Sequence, residues 1–409
     1  MKIAIVNACH PERQHVCAFR GTAFAEHLAD LGNRVVLITP PLTETGKGVT
    51  PEELEIQIDG RSDWSTYLHV MGGIPYSSIL PAVRNGTVPT PIRQSIIAYN
   101  YLRHGNIYND WMMGMAPLMP IIADRFVPEI IWAIFGNTSC LVLGRKLAKM
   151  TGCPWIADIK DNWQEFVPKG LRKIVAGQIS DSTHTTLLSE AHRETYPDNG
   201  TSKFTTIYNG ISDDLMKFHK AKGQSSEVLN EILISGSLYD FDALSDLLRM
   251  IVNWLPPKGN VHLTYAGGDT EIIQRAKQTG PAVLPITILG KLSPPELWAR
   301  QRRANINVYV RNPPNLFHHK LLELICVGRP ILAYGGETAE SIRIAKDIGA
   351  DLFPCSNEVE VDETLNQSFS KNSDSNLDRS KLEEYSTKFQ AKKLNQLLSE
   401  TVAKYSTTS

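Results

Sequence analysis

MKIAIVNACHPERQHVCAFRGTAFAEHLADLGNRVVLITP, residues 1–40, reads as a strand, a helix and a strand in that order. Lys2–Val6 is a short apolar run without alternation, the pattern of a strand covered on both faces. A loop follows, then helical spacing from about Gly21 to Leu31, stopped by Gly32. Arg34–Thr39 is a second β-branched run, closed by Pro40 and Pro41. Two strands joined by one helix form a βαβ crossover, which demands a parallel sheet.

The same rhythm recurs downstream. Ile130–Phe135, Trp155–Ile159, 185–188 and 205–208 predict strands, with helices over Thr138–Thr151 and 171–182. After the polar stretch 220–226 a second series begins. It has strands at 232–235, 261–266, 286–289, 306–310 and 330–333, and helices near 241–254, 269–279, 293–303, 319–327 and 338–347. Between the first strands and this rhythm lies a segment, 43–128, rich in Pro, Gly and aromatic residues. There a short strand is predicted near 54–58 and helices near 91–104 and 110–125. The Ser-, Asn- and Asp-rich stretch 357–380 predicts a mobile surface segment, and 382–405 a terminal helix. A chain of 409 residues exceeds one compact core. The expectation is therefore α/β, with two Rossmann-like domains facing across a central cleft. An N-terminal domain spans 1–212, a C-terminal domain 213–380, and a helix and tail, 381–409, cross back to the first domain.

Several function classes are disfavoured at once. The net charge of -1 gives no global field for nucleic acid or an anionic membrane, so any anion must be held by local groups. The six cysteines are scattered without a CxxC pair, which suggests buried apolar thiols in a reducing cytosol, not a zinc site or a disulfide framework. The N-terminus does not read as a signal peptide, and the longest apolar stretch, 111–127, is broken by Pro117, Pro120, Asp124 and Arg125. The chain is expected to be cytoplasmic, or peripheral at the inner membrane face. His10, His15, His318 and His319 form no spaced metal set, and HExxH, GxSxG and a P-loop lysine are absent. No metal and no cofactor are expected.

In an open parallel sheet ligands bind outside the carboxyl ends of the strands, where helix N-termini converge. Gly236-Ser237-Leu238 and Gly267-Gly268-Asp269 occupy such loops; each suits a phosphate, or is a plain strand-to-helix turn. In a helix Lys320 and Glu323 share a face. They form either a surface ion pair or a clamp in which Glu323 accepts ribose hydroxyls and Lys320 faces a diphosphate. Asp158-Ile159-Lys160-Asp161 places three charges at the mouth of a sheet, as a surface network or a site. Arg13, Arg20 and Gly21 precede a helix and suit an anion, or are ordinary exposed residues.

The segments MKIAIVN...PER, PEIIWAIFGNTSCLVLGRKLAK, PWIADIKDNW, TTIYNGI, ILISGSLY, VHLTYAGGD and KLLELICVGRPILAYGGE, in this order, resemble the family 4 glycosyltransferases. The resemblance implies the two-domain GT-B fold, a nucleoside-diphosphate-sugar donor (UDP before GDP) and transfer with retention, without metal. The acceptor hydroxyl would belong to a glycan, a lipid-linked or a small molecule. It places Tyr208, Asn209, Gly236, Ser237 and Gly267 around the donor. Of the family's Glu-x7-Glu pair the second falls on Glu323 and the first on Asn315, which brings no charge. The family's basic pair is missing from GSLYDFDAL, so Lys320, Lys291 or Arg311 substitutes, with Lys320 preferred. Lys160 aligns with the family's catalytic-site histidine, making Lys160-Asp161 a variant of that site. The segment 43–128 lies outside the resemblance and would carry acceptor recognition. Its Tyr76, Tyr99, Tyr101 and Trp111, with Arg84, Arg93 and Arg103, either touch a lipid-linked acceptor or belong to an ordinary insertion. Sugar-nucleotide 2-epimerases share this fold, and a non-catalytic nucleotide-sugar-binding protein is the third reading.

Overall fold

The computed structural model describes the chain except residues 14, 44–45, 76, 197–202, 222–228, 256–260, 280–285, 313, 315, 372–374 and 409. The chain divides into two compact units, one of Met1–Asn209 with Thr387–Ser409, the other of Gly210–Ser386.

The first unit is built on seven strands: β1 (Lys2–Val6), β2 (Arg34–Thr39), β3 (Leu68–Met71), β4 (Ile130–Phe135), β5 (Trp155–Ile159), β6 (His184–Leu187) and β7 (Phe204–Thr206). Their order is β3-β2-β1-β4-β5-β6-β7, and every pairing is parallel. The unbroken apolar run of β1 now has its reason. Ala4 and Val6 face a core with Val36, Ala133 and Leu141, while Ile3 and Ile5 face Phe24, Leu28 and the terminal-helix residues Leu394 and Leu398. Both faces are buried, so the period-two alternation disappears. The terminal helix, Thr387–Thr408, thus completes the core of the first unit, lying against α1 (Val16–Asp30).

Several local readings change. α1 starts at Val16, capped by the His15 side chain, which accepts from Cys17 N at 3.1 Å. Arg20 and Gly21 therefore lie inside a helix, not ahead of one. The expected strand at 54–58 is α2 (Pro51–Asp59), with Thr50 and Glu53 forming a reciprocal capping box and Pro51 in the first turn. Leu54 and Ile58, four apart, share its buried face. The predicted helix 110–125 is broken into Asn109–Met115, Leu118–Ile121 and a π-turn, Ile122–Phe126; Pro117 and Pro120 interrupt the ladder. The predicted helix 171–182 shortens to Arg172–Gln178 after a 3-10 turn.

The second unit has six parallel strands, β8 (Glu231–Ser235), β9 (His262–Ala266), β10 (Ile286–Gly290), β11 (Ile306–Val310), β12 (Ile331–Tyr334) and β13 (Leu352–Cys355), in the order β10-β9-β8-β11-β12-β13. β13 was not expected. Most of 357–371 is the helix Glu358–Lys371 and not a surface coil: Val361 and Leu365 are fully buried against Leu244 and Leu248. Two apolar residues at i and i+4 suffice to anchor it, and the polar residues around them hid the pattern. Of the polar stretch 220–226, residues 222–226 lie outside the described residues.

In each sheet the order reverses once, between β1 and β4 and between β8 and β11. At such a reversal the loops leave to opposite faces and open a crevice beyond the strand ends.

Candidate functional site

The second unit's crevice is organised around Lys320. The helix His319–Val327 follows β11, and its first turn directs Lys320 back to β8. Nζ donates to Ser235 O at 3.3 Å and lies 5.6 Å from the Tyr309 ring centroid. It touches Gly236 so closely that a Cβ there would stand 2.9 Å from Nζ, and Gly236 has φ +87°, which suits glycine alone. Burial pulls the Lys320 ammonium down to about 8, opposed by Glu323 and Asp269.

The walls are polar and braced. Tyr309, wholly buried, donates to Glu337 Oε1 at 2.8 Å, and Glu337 Oε2 accepts from Thr338 N at 2.8 Å. His318 Nε2 accepts from Asn312 N at 3.2 Å. Burial lowers this imidazole to about 4, so it is neutral near pH 7. Arg311, past the end of β11, has a buried Nε with no hydrogen-bond partner. An unmet buried donor costs about 1–3 kcal/mol. Behind Gly236, the Tyr265 hydroxyl donates to Gly236 O at 3.0 Å and accepts from Asp269 N at 3.0 Å, while Asp269 Oδ2 accepts from Leu238 N at 2.9 Å. Gly267 is needed there for room: a Cβ would fall 2.2 Å from the Tyr265 hydroxyl.

Ser237 is exposed beside Gly236. Lys291 is exposed just past β10, and β9 separates that strand from β8. Asn315 lies outside the described residues. Glu323 is partly exposed, with Oε1 3.5 Å from His319 Nε2, and acts on Lys320 through space. Tyr208 and Asn209 belong to the first unit, where Tyr208 N donates to Gln390 Oε1 at 3.0 Å and Asn209 O accepts from Thr387 Oγ1 at 3.1 Å.

In the first unit, Arg20 corrects the expectation of an anion-holding loop. It is fully buried; Nε and Nη2 hold Asp158 Oδ2 and Oδ1 at 2.8 and 2.6 Å, and Nη1 donates to Ile207 O and Asn209 Oδ1, both at 3.0 Å. The guanidinium also lies over Phe24 and Trp132. Its donors are committed within the fold, so Arg20 is a structural strut. Asp158, which also accepts from Thr186 Oγ1 at 2.6 Å, is its counterpart and does not pair with Lys160. Gly21 lets α1 approach Asn7: a Cβ would meet Asn7 Nδ2 at 2.3 Å. Arg13 is exposed.

Lys160 is 3% exposed and pairs with Asp161. Burial opposes its charge, but the Asp161 carboxylate outweighs that and holds it above the usual lysine range. His192, pushed to about 3 by burial, is neutral and hydrogen-bonded to the Lys160 carbonyl and to Ser189 Oγ at 2.7 Å. Lys160 is therefore fixed by its backbone as well as its charge. Sequence reasoning missed His192, Tyr309, Glu337 and Tyr265, whose contacts with Lys160, with each other and with Gly236 join loops far apart in sequence; only Glu337, in the Gly335-Gly336-Glu337 turn after β12, carried a local signal.

In the aromatic segment, Tyr101 and Trp111 are buried, Arg84 pairs with Asp110 at 3.0 Å and Arg93 Nε donates to Val83 O at 2.9 Å. Tyr76 lies outside the described residues. The helix Thr90–His104 instead exposes Ile92, Tyr99 and Leu102 with Arg103. Among the described residues no helix is long and apolar enough to cross a membrane.

No protein-family model matches the chain, and no curated protein matches it in sequence. Solved structures do match in fold. A glycosyltransferase from Rickettsia africae ESF-5 superposes with TM-score 0.62 at 15% identity, covering 98% of both chains. Anabaena HepE, solved in complex with UDP, gives TM-score 0.62 at 12% identity, covering 98% of this chain and 100% of its own. The UDP-GlcNAc 2-epimerase of Methanocaldococcus jannaschii gives 0.54 at 10% identity, with the same coverage of 98% and 100%. The two parallel-sheet units are thus the GT-B fold, shared by glycosyltransferases and epimerases.

Proposed function

We propose that this chain is a nucleotide-sugar-dependent glycosyltransferase, with a UDP-sugar as donor and a glycan, a lipid-linked or a small-molecule hydroxyl as acceptor. The observation that carries the reading is the Lys320 ammonium seated on Gly236 at the strand-order reversal of the second unit, with Arg311 Nε unmet nearby in sequence at the end of β11. A diphosphate there would meet a lysine, an arginine and the N-terminus of the helix His319–Val327. UDP is favoured because HepE, of the same fold, was solved with it.

In this reading the leaving diphosphate gains charge as the anomeric C–O bond breaks, and Lys320 and Arg311 stabilise that charge. Glu323 accepts from the donor ribose. Asn315 offers a neutral hydrogen bond to the sugar. Lys160, held by Asp161 and His192, acts at the acceptor side of the first unit. No metal is required, and retention follows if the acceptor hydroxyl attacks from the side the phosphate leaves. The exposed Ile92, Tyr99 and Leu102 support a lipid-linked acceptor reached by peripheral membrane contact.

Incubating the protein with UDP-sugars, with and without acceptor extracts, tests the proposal. UDP release that depends on acceptor, with an anomerically retained product by NMR, is the expected result. Conversion of the donor without acceptor would instead identify an epimerase. Thermal stabilisation by UDP-sugars with no turnover would identify a binding protein.

A further inference from the structure

The first unit's strand-order reversal carries a thiol cluster that the donor chemistry does not use. Cys9 follows β1, and Cys17 lies in the first turn of α1. The Asn7 carboxamide clamps both backbones: Nδ2 donates to Cys9 O at 3.2 Å and to Cys17 O at 3.0 Å. The two Sγ atoms and a His15 ring nitrogen lie within 4.8 Å of one another, and Cys9 Sγ is 3.9 Å from His15 Nδ1. Gly136 shows what flanks them, since a Cβ there would stand 2.8 Å from Cys17 Sγ and 3.7 Å from Lys160 Cε. Cys9 is 8% exposed and Cys17 1%, so one thiol is the outer and the other the inner.

We propose that Cys9 is a hydroperoxide-reactive thiol that Cys17 resolves, the two closing to a reversible disulfide beside Lys160. The Cys9 thiolate attacks the terminal peroxide oxygen; the O–O bond breaks, Cys9 becomes a sulfenic acid and the remaining alkoxide leaves as alcohol with one proton. Cys17 then loses its proton, its sulfur attacks Cys9 Sγ, and the S–O bond breaks with loss of water. Two thiols and one hydroperoxide give one disulfide, one alcohol and one water, the peroxide being reduced as the thiols are oxidised.

The surroundings favour this chemistry over metal capture. A hydrogen bond to Cys17 lowers the Cys9 thiol, against burial, and the cations of Lys160 and Arg13 lower it further, whereas the same hydrogen bond and burial hold Cys17, whose Sγ donates to Asn7 Oδ1 at 3.3 Å, well above the ordinary thiol range; Cys9 is thus the thiol that reacts first and Cys17 the one that resolves. A divalent cation would meet the Lys160 ammonium, and His15 Nδ1 already accepts the Cys17 N–H. The inference does not rest on the glycosyltransferase reading.

Full-length protein treated with hydrogen peroxide at neutral pH, then alkylated, digested without reduction and mass-mapped, tests it. A Cys9–Cys17 linkage reversed by dithiothreitol is expected. In Cys17→Ser, dimedone should trap a sulfenic acid on Cys9; in Cys9→Ser, Cys17 should stay reduced. Lys160→Met removes a cation that favours the Cys9 thiolate and should slow Cys9 alkylation relative to the parent protein. The idea fails if Cys153 is oxidised while Cys9 stays free, if a disulfide to Cys140 forms instead, or if one zinc per chain co-purifies and is lost in Cys9→Ser.

Discussion

Gly236→Ala separates the strain of a backbone turn from the loss of a charge. Gly236 has φ +87°, and an alanine Cβ would stand 2.9 Å from Lys320 Nζ. The left-handed backbone costs roughly 1–2 kcal/mol for a residue with a Cβ. The steric conflict is cheap to relieve because Nζ is the free end of a long side chain, and Lys320 swings away. At about 2–4 °C per kcal/mol for a unit of this size, the melting temperature should fall by about 2–8 °C. Binding should suffer more. Losing one charge-assisted hydrogen bond of about 1.5–3 kcal/mol to a diphosphate weakens the complex roughly 10- to 100-fold. Lys320→Met removes the same contact without the backbone strain. Calorimetric titration with UDP and thermal scans on both variants and their double mutant read the two effects apart. The double mutant should bind no more weakly than Lys320→Met alone. If Gly236→Ala binds UDP within twofold of the parent, or if the two defects add, Lys320 does not hold a diphosphate against Gly236.

The Lys320 ammonium titrates near 8 in the free protein, so UDP affinity should decline above about pH 8, and binding at that pH should take up a fraction of a proton, seen as a buffer-dependent heat. The sign for stability is opposite: between about 8 and the unfolded lysine value near 10.4 the unfolded chain binds more protons, so this group makes the fold more stable as pH rises through that window. Arg20→Met leaves Asp158 buried and unpaired and should cost about 3–5 kcal/mol, a fall near 10 °C in a melting scan; a loss below about 1 kcal/mol would mean Asp158 finds another partner. Leu365→Ala should cost about 2–5 kcal/mol by denaturant titration, whereas a neutral outcome would return 357–371 to a surface coil.

Strands such as Ile130–Phe135 were readable because burial on both faces leaves an uninterrupted apolar run. Lys320 was readable because a helix fixes its face from local spacing. The start of α2 is spelled by Thr50, Pro51 and Glu53, but the alternation of Leu54, Ile56 and Ile58 mimics a strand. The Arg20–Asp158 strut was not legible: its partners are 138 residues apart, and a buried guanidinium looks in sequence like an exposed one. Tyr309, Glu337 and the Cys9–Cys17 pair were hidden for the same reason, since loops from different strands bring them together or, for the thiols, a helix start five residues earlier than Gly21 allowed.

The pairing of the terminal helix with β1 gives the molecule an unequal genealogy of parts. The second unit, Gly210–Ser386, is one continuous stretch lodged inside the sequence of the first. Its two ends are neighbours: Ile211 bridges Ser386, and Ile211 N donates to Tyr385 O at 2.8 Å. In the language of domain grafting it is a cassette with adjoining ends, the arrangement that tolerates excision and transplantation. The first unit, by contrast, is split, and a truncation before Thr387 would strip Leu394 and Leu398 from the face of Ile3 and Ile5. Ribosomal synthesis therefore finishes the cassette before the host has its last helix.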